Sequence, residues 1–200
     1  MTKVYPNAAS SISLPINPTS SNNDESKSST VLTVWKKSLL FNCDGFTVFD
    51  AAGNLVYRVD NYTSGNKGQI VLMDGSGKSL LTIRRKKLSL GDSWLVYDGE
   101  TAENPRVLVK KNVNLLKTKC LAHVSSTGGC QKPVYEIEGC YSRRICAVYD
   151  DKRRRVMEIK PKESSVRGVA FGMDIFRLVV QPGFDMPLAM AILIILDKMF

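Results

Sequence analysis

The feature that most constrains this chain is a short apolar run close to its end. Residues 186–196 read Met-Pro-Leu-Ala-Met-Ala-Ile-Leu-Ile-Ile-Leu, without one polar side chain. Asp185 and Pro187 are helix-start residues, the first as a cap and the second because its missing N–H costs nothing in the first turn. A helix through Leu188, Ile192, Leu193, Ile195 and Leu196 is apolar on every face, so something apolar must surround it. Lipid and protein are the two candidates. The run is 11 residues long, whereas a spanning helix needs about 20, and Asp197 and Lys198 close it. That length favours a helix buried in the protein's own core.

The rest of the chain must then supply the shell, and its pattern is strand, turn, strand. Runs at 46–50 and 55–59 flank Ala51-Ala52-Gly53-Asn54, and runs at 69–73 and 79–85 flank residues 74–78. Further runs lie at 94–97, 106–111, 134–138, 145–149, 156–160 and 174–180. Each is rich in β-formers and bounded by Gly, Asn or Asp, the chemistry of hairpins. Leu81 and Ile83 alternate with Thr82 and Arg84, and Met157 and Ile159 with Glu158 and Lys160, as in half-buried strands. With weaker runs included there are about ten to twelve short strands, the spacing of a sandwich or barrel. A closed barrel of that size is too wide for facing side chains to fill, and a helix inside it is a sensible filling. The expected fold is mainly β: a closed antiparallel barrel of about ten to twelve strands enclosing a hydrophobic C-terminal α-helix. It is expected to occupy residues 31–200. Residues 1–30 are expected to be a disordered polar tail, because 19–30 holds only Ser, Asn, Asp, Glu, Lys and Thr.

The formal net charge is +9, and residues 106–167 alone carry 15 Lys or Arg against 6 Asp or Glu. Such an excess favours an anionic partner. The basic runs are Arg84-Arg85-Lys86-Lys87, Arg143-Arg144 and Lys152-Arg153-Arg154-Arg155, with Lys160, Lys162 and Arg167 nearby. Arginine forks bind two phosphate oxygens at once. Adjacent strand residues face opposite ways, so Arg153 and Arg155 can share a face with Arg154 on the other side. The competing readings are a solvated turn that protects a strand edge, or a nuclear localisation signal.

Other motifs fall away. Gly75-Ser76-Gly77-Lys78-Ser79 looks like the end of a phosphate-binding loop. Leu72 stands where that loop needs glycine, however, and a strand pattern follows where it needs a helix, so 74–78 reads as a hairpin turn. His123, the sole histidine, sits in a mainly apolar run and reads as a strand residue, with a Cys–His pair as the alternative. The five cysteines have no C-x-x-C spacing, so a zinc site is poorly supplied. No signal-like apolar run follows Met1, which points to reduced thiols, a cytosolic or nuclear location and an idle Asn61-Tyr62-Thr63 sequon. No paired carboxylates stand out. Binding is expected rather than catalysis, with no metal or cofactor.

Four blocks in order carry a resemblance to a known family. They are Phe46-Thr47-Val48-Phe49-Asp50 to Gly53-Asn54-Leu55-Val56-Tyr57; Leu72-Met73-Asp74-Gly75-Ser76-Gly77; Asp92-Ser93-Trp94-Leu95-Val96-Tyr97; and Phe171-Gly172-Met173-Asp174 through Val179-Val180-Gln181-Pro182 into the apolar run. The chain resembles the LURP-one-related proteins of plants, which share a tubby-like fold with the tubby and phospholipid scramblase families. The resemblance implies a barrel of about twelve strands wrapped around the C-terminal helix. It also implies links to plant defence, to phosphoinositide tethering and to transcription. The functional expectation is therefore a monomeric, non-enzymatic module that docks on anionic phospholipid headgroups through Arg143, Arg144, Arg153, Arg155 and Lys160. It would be cytoplasmic, peripheral at the plasma membrane or nuclear. The alternatives are non-specific nucleic-acid binding by the same surface, though hallmark nucleic-acid motifs are missing, and a protein-interaction scaffold.

Overall fold

The computed structural model describes residues 28–40, 43–62, 68–87, 89, 91–101, 103–113, 119–128, 133–162 and 172–200. Most of the expected N-terminal tail, together with Cys130 and Arg167, lies outside the described residues. The strands are β1 (Thr30–Trp35), β2 (Cys43–Phe49), β3 (Leu55–Tyr62), β4 (Gln69–Asp74), β5 (Ser79–Arg85) and β6 (Ser93–Asp98). They continue with β7 (Val107–Lys111), β8 (Cys120–Ser126), β9 (Pro133–Cys140), β10 (Ile145–Asp150), β11 (Arg155–Pro161) and β12 (Ile175–Val180). A single 3₁₀ turn, Tyr141–Arg143, joins β9 to β10, and the chain ends in α1 (Met186–Met199). Every strand pairs antiparallel with its sequence neighbours, and β1 pairs with β12, which closes the barrel. The sequence patterns marked most of these strands within a few residues. They did not single out β1, and marked β8 only through His123, read as a strand residue.

The barrel is filled by α1. Leu188, Ile192, Leu193, Ile195 and Leu196 are buried, the last four completely. Each strand sends a residue inward onto the helix: Val34, Val48, Val59, Leu72, Ile83 and Val96 from the first six, then Val109, Val124, Ile137, Val148, Met157 and Leu178. None is more than 1% exposed. Most are β-branched, which suits a pleated wall and keeps its lining short enough to admit a helix about 10 Å across. The helix enters from the end of β12 and runs back antiparallel to it. Its N-terminus therefore sits at one mouth of the barrel and its C-terminus at the other, termed here the N-mouth and C-mouth.

Both helix ends are tied. Asp185 Oδ1 accepts the Leu188 N–H at 2.8 Å, and Arg106 donates to the other carboxylate oxygen. A negative cap complements the positive end of the helix dipole. At the C-mouth, Lys111 Nζ donates to the Met199 carbonyl at 2.7 Å, a cation on the negative end.

Three N-mouth hairpins share one construction. Asp50 Oδ1 accepts the N–H groups of Ala52 and Asn54; Asp74 Oδ1 those of Ser76 and Lys78; Asp150 Oδ1 those of Lys152 and Arg154. In each, the fourth residue adopts the left-handed conformation, and the strand register shifts one residue before the aspartate. Two of those fourth residues are Gly53 and Gly77; the third is Arg153, at φ 60°. The phosphate-loop lookalike at 74–78 is thus a hairpin turn.

Hydrogen bonding, from the Asn54 side chain first, holds the Asp50 carboxyl below its usual value, and bonding from Ser76 first does the same for Asp74. A lowered folded-state value means that the carboxylate stabilises the fold fully above the unfolded value of about 3.9, and that this is lost as pH falls through the folded value. Denaturant unfolding of the Asp50→Asn/Asp74→Asn chain should therefore show a flatter stability loss below about pH 4 than the parent. An equally steep acid limb would contradict this. Leu193→Asp should cost about 3–5 kcal/mol or abolish folding, because an unpaired charge would be buried in the barrel; a soluble variant with an unchanged thermal transition would refute the core helix.

Candidate functional site

The five basic residues expected to form one anion-binding face do not do so. Arg144 is the clearest correction, because it is buried. Its guanidinium lies between the rings of Tyr141 and Phe176, 4.3 and 4.4 Å from their centroids, and Nε donates to the Met173 carbonyl at 3.0 Å. Nη1 is 3.9 Å from Asp197 Oδ1. The same carboxylate accepts from the Tyr141 hydroxyl at 3.0 Å and pairs with Lys36 Nζ at 2.9 Å. This cluster fastens the last turn of α1 to the wall. It also offsets a carboxylate that the helix dipole disfavours at that end. Burial, then the Asp197 charge, pushes the Tyr141 phenol well above its usual range.

Arg153, Arg155 and Lys160 lie on the outer wall, where acids balance them. Arg153 splits its fork between Glu136 at 2.7 Å and Glu138 at 2.8 Å, and covers the Tyr149 ring. Glu158 takes both Arg155 at 3.2 Å and Lys160 at 3.0 Å. Arg154 pairs with Asp150 at 2.7 Å. Three cations facing three carboxylates give this wall little net field. Of the five, Arg143 alone is exposed without an ion pair among the described residues, and it stands at the C-mouth.

The unbalanced charge is at that mouth. In an up-and-down barrel alternate connections lie at the same end. The described residues of the C-mouth connections and helix end include nine Lys or Arg and three Asp or Glu, whereas the N-mouth connections include five of each. At the C-mouth Lys37, Lys86, Lys87, Lys119, Arg143 and Lys198 are exposed and make no ion pair with a described acid. Exposed large apolar side chains follow the same division. Trp35, Leu39, Leu40, Val113, Ile145, Met173 and Phe200 belong to the C-mouth, against Val31 and Val134 near the other. A recess of about 370 Å³ opens there, lined in part by Lys36, Lys37, Asp44, Asp197 and Lys198.

The thiols differ in character. Cys120 Sγ is 3.6 Å from His123 Nε2, so a Cys–His contact does exist on β8. Burial, then the Glu136 charge, raises that thiol rather than activating it. Burial also pushes Cys146 up to about 12. Cys140 goes the other way: the Ser142 hydroxyl at 3.2 Å and then the Arg143 backbone N–H lower it. Among the described residues no group of His, Cys, Asp and Glu is placed to hold a metal ion, and no helix is long and apolar enough to cross a membrane.

The fold defines a class: an up-and-down barrel of twelve strands plugged by its own C-terminal helix. Within that class, a profile of the LURP-one-related family matches residues 30–197, and the chain belongs to the LURP-one-related family. It is 50% identical to protein LURP-one-related 8 of Arabidopsis thaliana, over 100% of this chain and 98% of that protein. It is 47% identical to LURP-one-related 17 of the same plant, covering 86% of this chain and 83% of the relative. Neither name describes an enzymatic activity. An X-ray structure of an Arabidopsis thaliana protein superposes with a TM-score of 0.66 at 22% identity, covering 86% of this chain and 91% of that one, and shares the fold.

The thiol environments predict their reactivity. Brief alkylation near neutral pH, read peptide by peptide by mass spectrometry, should modify Cys140 well before Cys120 or Cys146. Equal rates at the three sites would show that the Ser142 and Arg143 contacts do not lower Cys140.

Proposed function

We propose that this LURP-one-related barrel is a non-enzymatic module that tethers reversibly to anionic phospholipid headgroups. The supporting observation is the division of charge between the two mouths: among the described residues the basic excess gathers at one end of the barrel, where six exposed Lys or Arg make no ion pair with a described acid. An anionic membrane surface attracts each nearby Lys or Arg by about 1 kcal/mol, and salt screens the attraction. Phosphate groups suit such a rim, and the recess beside Lys36, Lys37 and Lys198 is open to a headgroup. The resemblance to tubby and scramblase proteins implies the same class of partner, and a role in plant defence signalling would be served by reversible attachment. The wall residues Arg153, Arg155 and Lys160 are secondary in this reading, since glutamates already engage them.

Co-sedimentation with vesicles of phosphatidylcholine alone, and with added phosphatidylserine or phosphoinositide, tests the reading. Binding should require anionic lipid and weaken with salt. Lys86→Glu/Lys87→Glu should weaken it at least about tenfold, while Arg153→Glu/Arg155→Glu should change it much less. Failure to bind anionic vesicles at low salt would remove the proposal. Tight, steeply salt-dependent binding to duplex DNA without lipid binding would move the function to nucleic acid.

A further inference from the structure

We infer that the barrel docks end-on through its C-mouth, with Trp35, Leu39, Leu40 and Phe200 entering the headgroup region of an anionic bilayer. This rests on the tethering reading and goes beyond it by fixing the surface, the orientation and an apolar component of binding. Single exposed apolar residues are ordinary on a protein surface. Their concentration at one end, interleaved with unpaired lysines, is not.

Two contacts show how the chemistries combine. Lys37 Nζ lies 5.3 Å from the Trp35 ring centroid, and Lys111 Nζ 4.1 Å from that of Phe200. An aromatic ring beside an ammonium suits a membrane interface, where the ring enters the headgroup layer and the ammonium meets phosphate. Leu39 is 50% exposed and Leu40 36%, on the connection that follows Trp35.

Other occupants satisfy only half of this surface. A nucleic acid would use the lysines but leave the leucines without a role, since such interfaces are polar. A second copy would cover the leucines but bring two basic rims face to face, where like charges repel. An anionic bilayer takes both the charge and the apolar side chains. The Asp50, Asp74 and Asp150 turns then point away from the membrane. The attraction is screened beyond about 8–10 Å in physiological salt, whereas apolar insertion is not, so part of the binding persists when salt is raised.

Trp35 reports on this directly, because Trp94, the second of two tryptophans, is buried. The test uses the full chain carrying Trp94→Phe, mixed with phosphatidylcholine–phosphatidylserine vesicles with and without brominated acyl chains. Trp35 emission should shift to the blue on binding and be quenched by the brominated lipid. Leu39→Ser/Leu40→Ser should keep the parent thermal transition and bind about tenfold more weakly at high salt. The unsubstituted chain, its Trp94 shielded inside the barrel, gives the same readout if Trp94→Phe is unstable. Sedimentation with anionic vesicles but unchanged Trp35 emission would overturn end-on docking and leave the tethering reading in place. No sedimentation at low salt would overturn both. A dimer abolished by Leu39→Ser/Leu40→Ser, without quenching, would assign the mouth to a second copy and also overturn the inference.

Discussion

The structure depends on one constraint: a helix with no polar face cannot be left in water. Ten of the fourteen α1 residues are buried, and the enclosure that achieves this is the barrel. The dependence is mutual. A ring of twelve strands without a filling would leave a void that packing forbids. The inward ring from Val34 through Val96 and Val124 to Leu178 and the helix residues from Leu188 to Leu196 are therefore two halves of one core. The polar ties at Asp185 and Asp197 set where along the barrel the helix stops.

Closing the sheet also decides where function can lie. A closed barrel has no free strand edge to offer a partner, so its accessible surfaces are the outer wall and the two mouths. On the wall of β9, β10 and β11 the cations are matched by Glu136, Glu138 and Glu158. Three of the N-mouth connections are tight turns that use their aspartates internally. The C-mouth differs in both respects: Lys37, Lys86, Lys87, Lys119, Arg143 and Lys198 make no ion pair with a described acid, and its apolar side chains lack a cover among the described residues. Fold and charge together leave that mouth as the surface with unmet interactions.

Much of the fold was legible because its signals are local. The apolar run at 186–196 announced a buried helix by its lack of a polar face. Ala51-Ala52-Gly53-Asn54 and the residues 74–78, each between two β-rich runs, announced hairpins. The candidate site was read less well, for a physical reason. Charge counted along 106–167 adds residues that strand register later pairs, such as Arg153 with acids 15 and 17 positions away. The burial of Arg144 depends on Tyr141, Phe176 and Asp197, which no sequence window places together. Arg153 sits where two sister turns have glycine, a position that sequence reads as one more exposed arginine. A usable signal did exist. Summing charge over alternate connections, rather than along the chain, separates the two ends of an up-and-down barrel once the strands are counted.

Hydrogen exchange read by mass spectrometry, with and without phosphatidylserine-containing vesicles, tests the central claim most directly. It reports on every connection at once without altering a residue. Membrane docking through the C-mouth predicts slowed exchange at 36–40, 86–92 and 198–200, with the turns at 50–54, 74–78 and 150–154 unchanged. Protection centred on those turns or on the wall of β9 to β11, or no protection in chain that sediments with the vesicles, would contradict it.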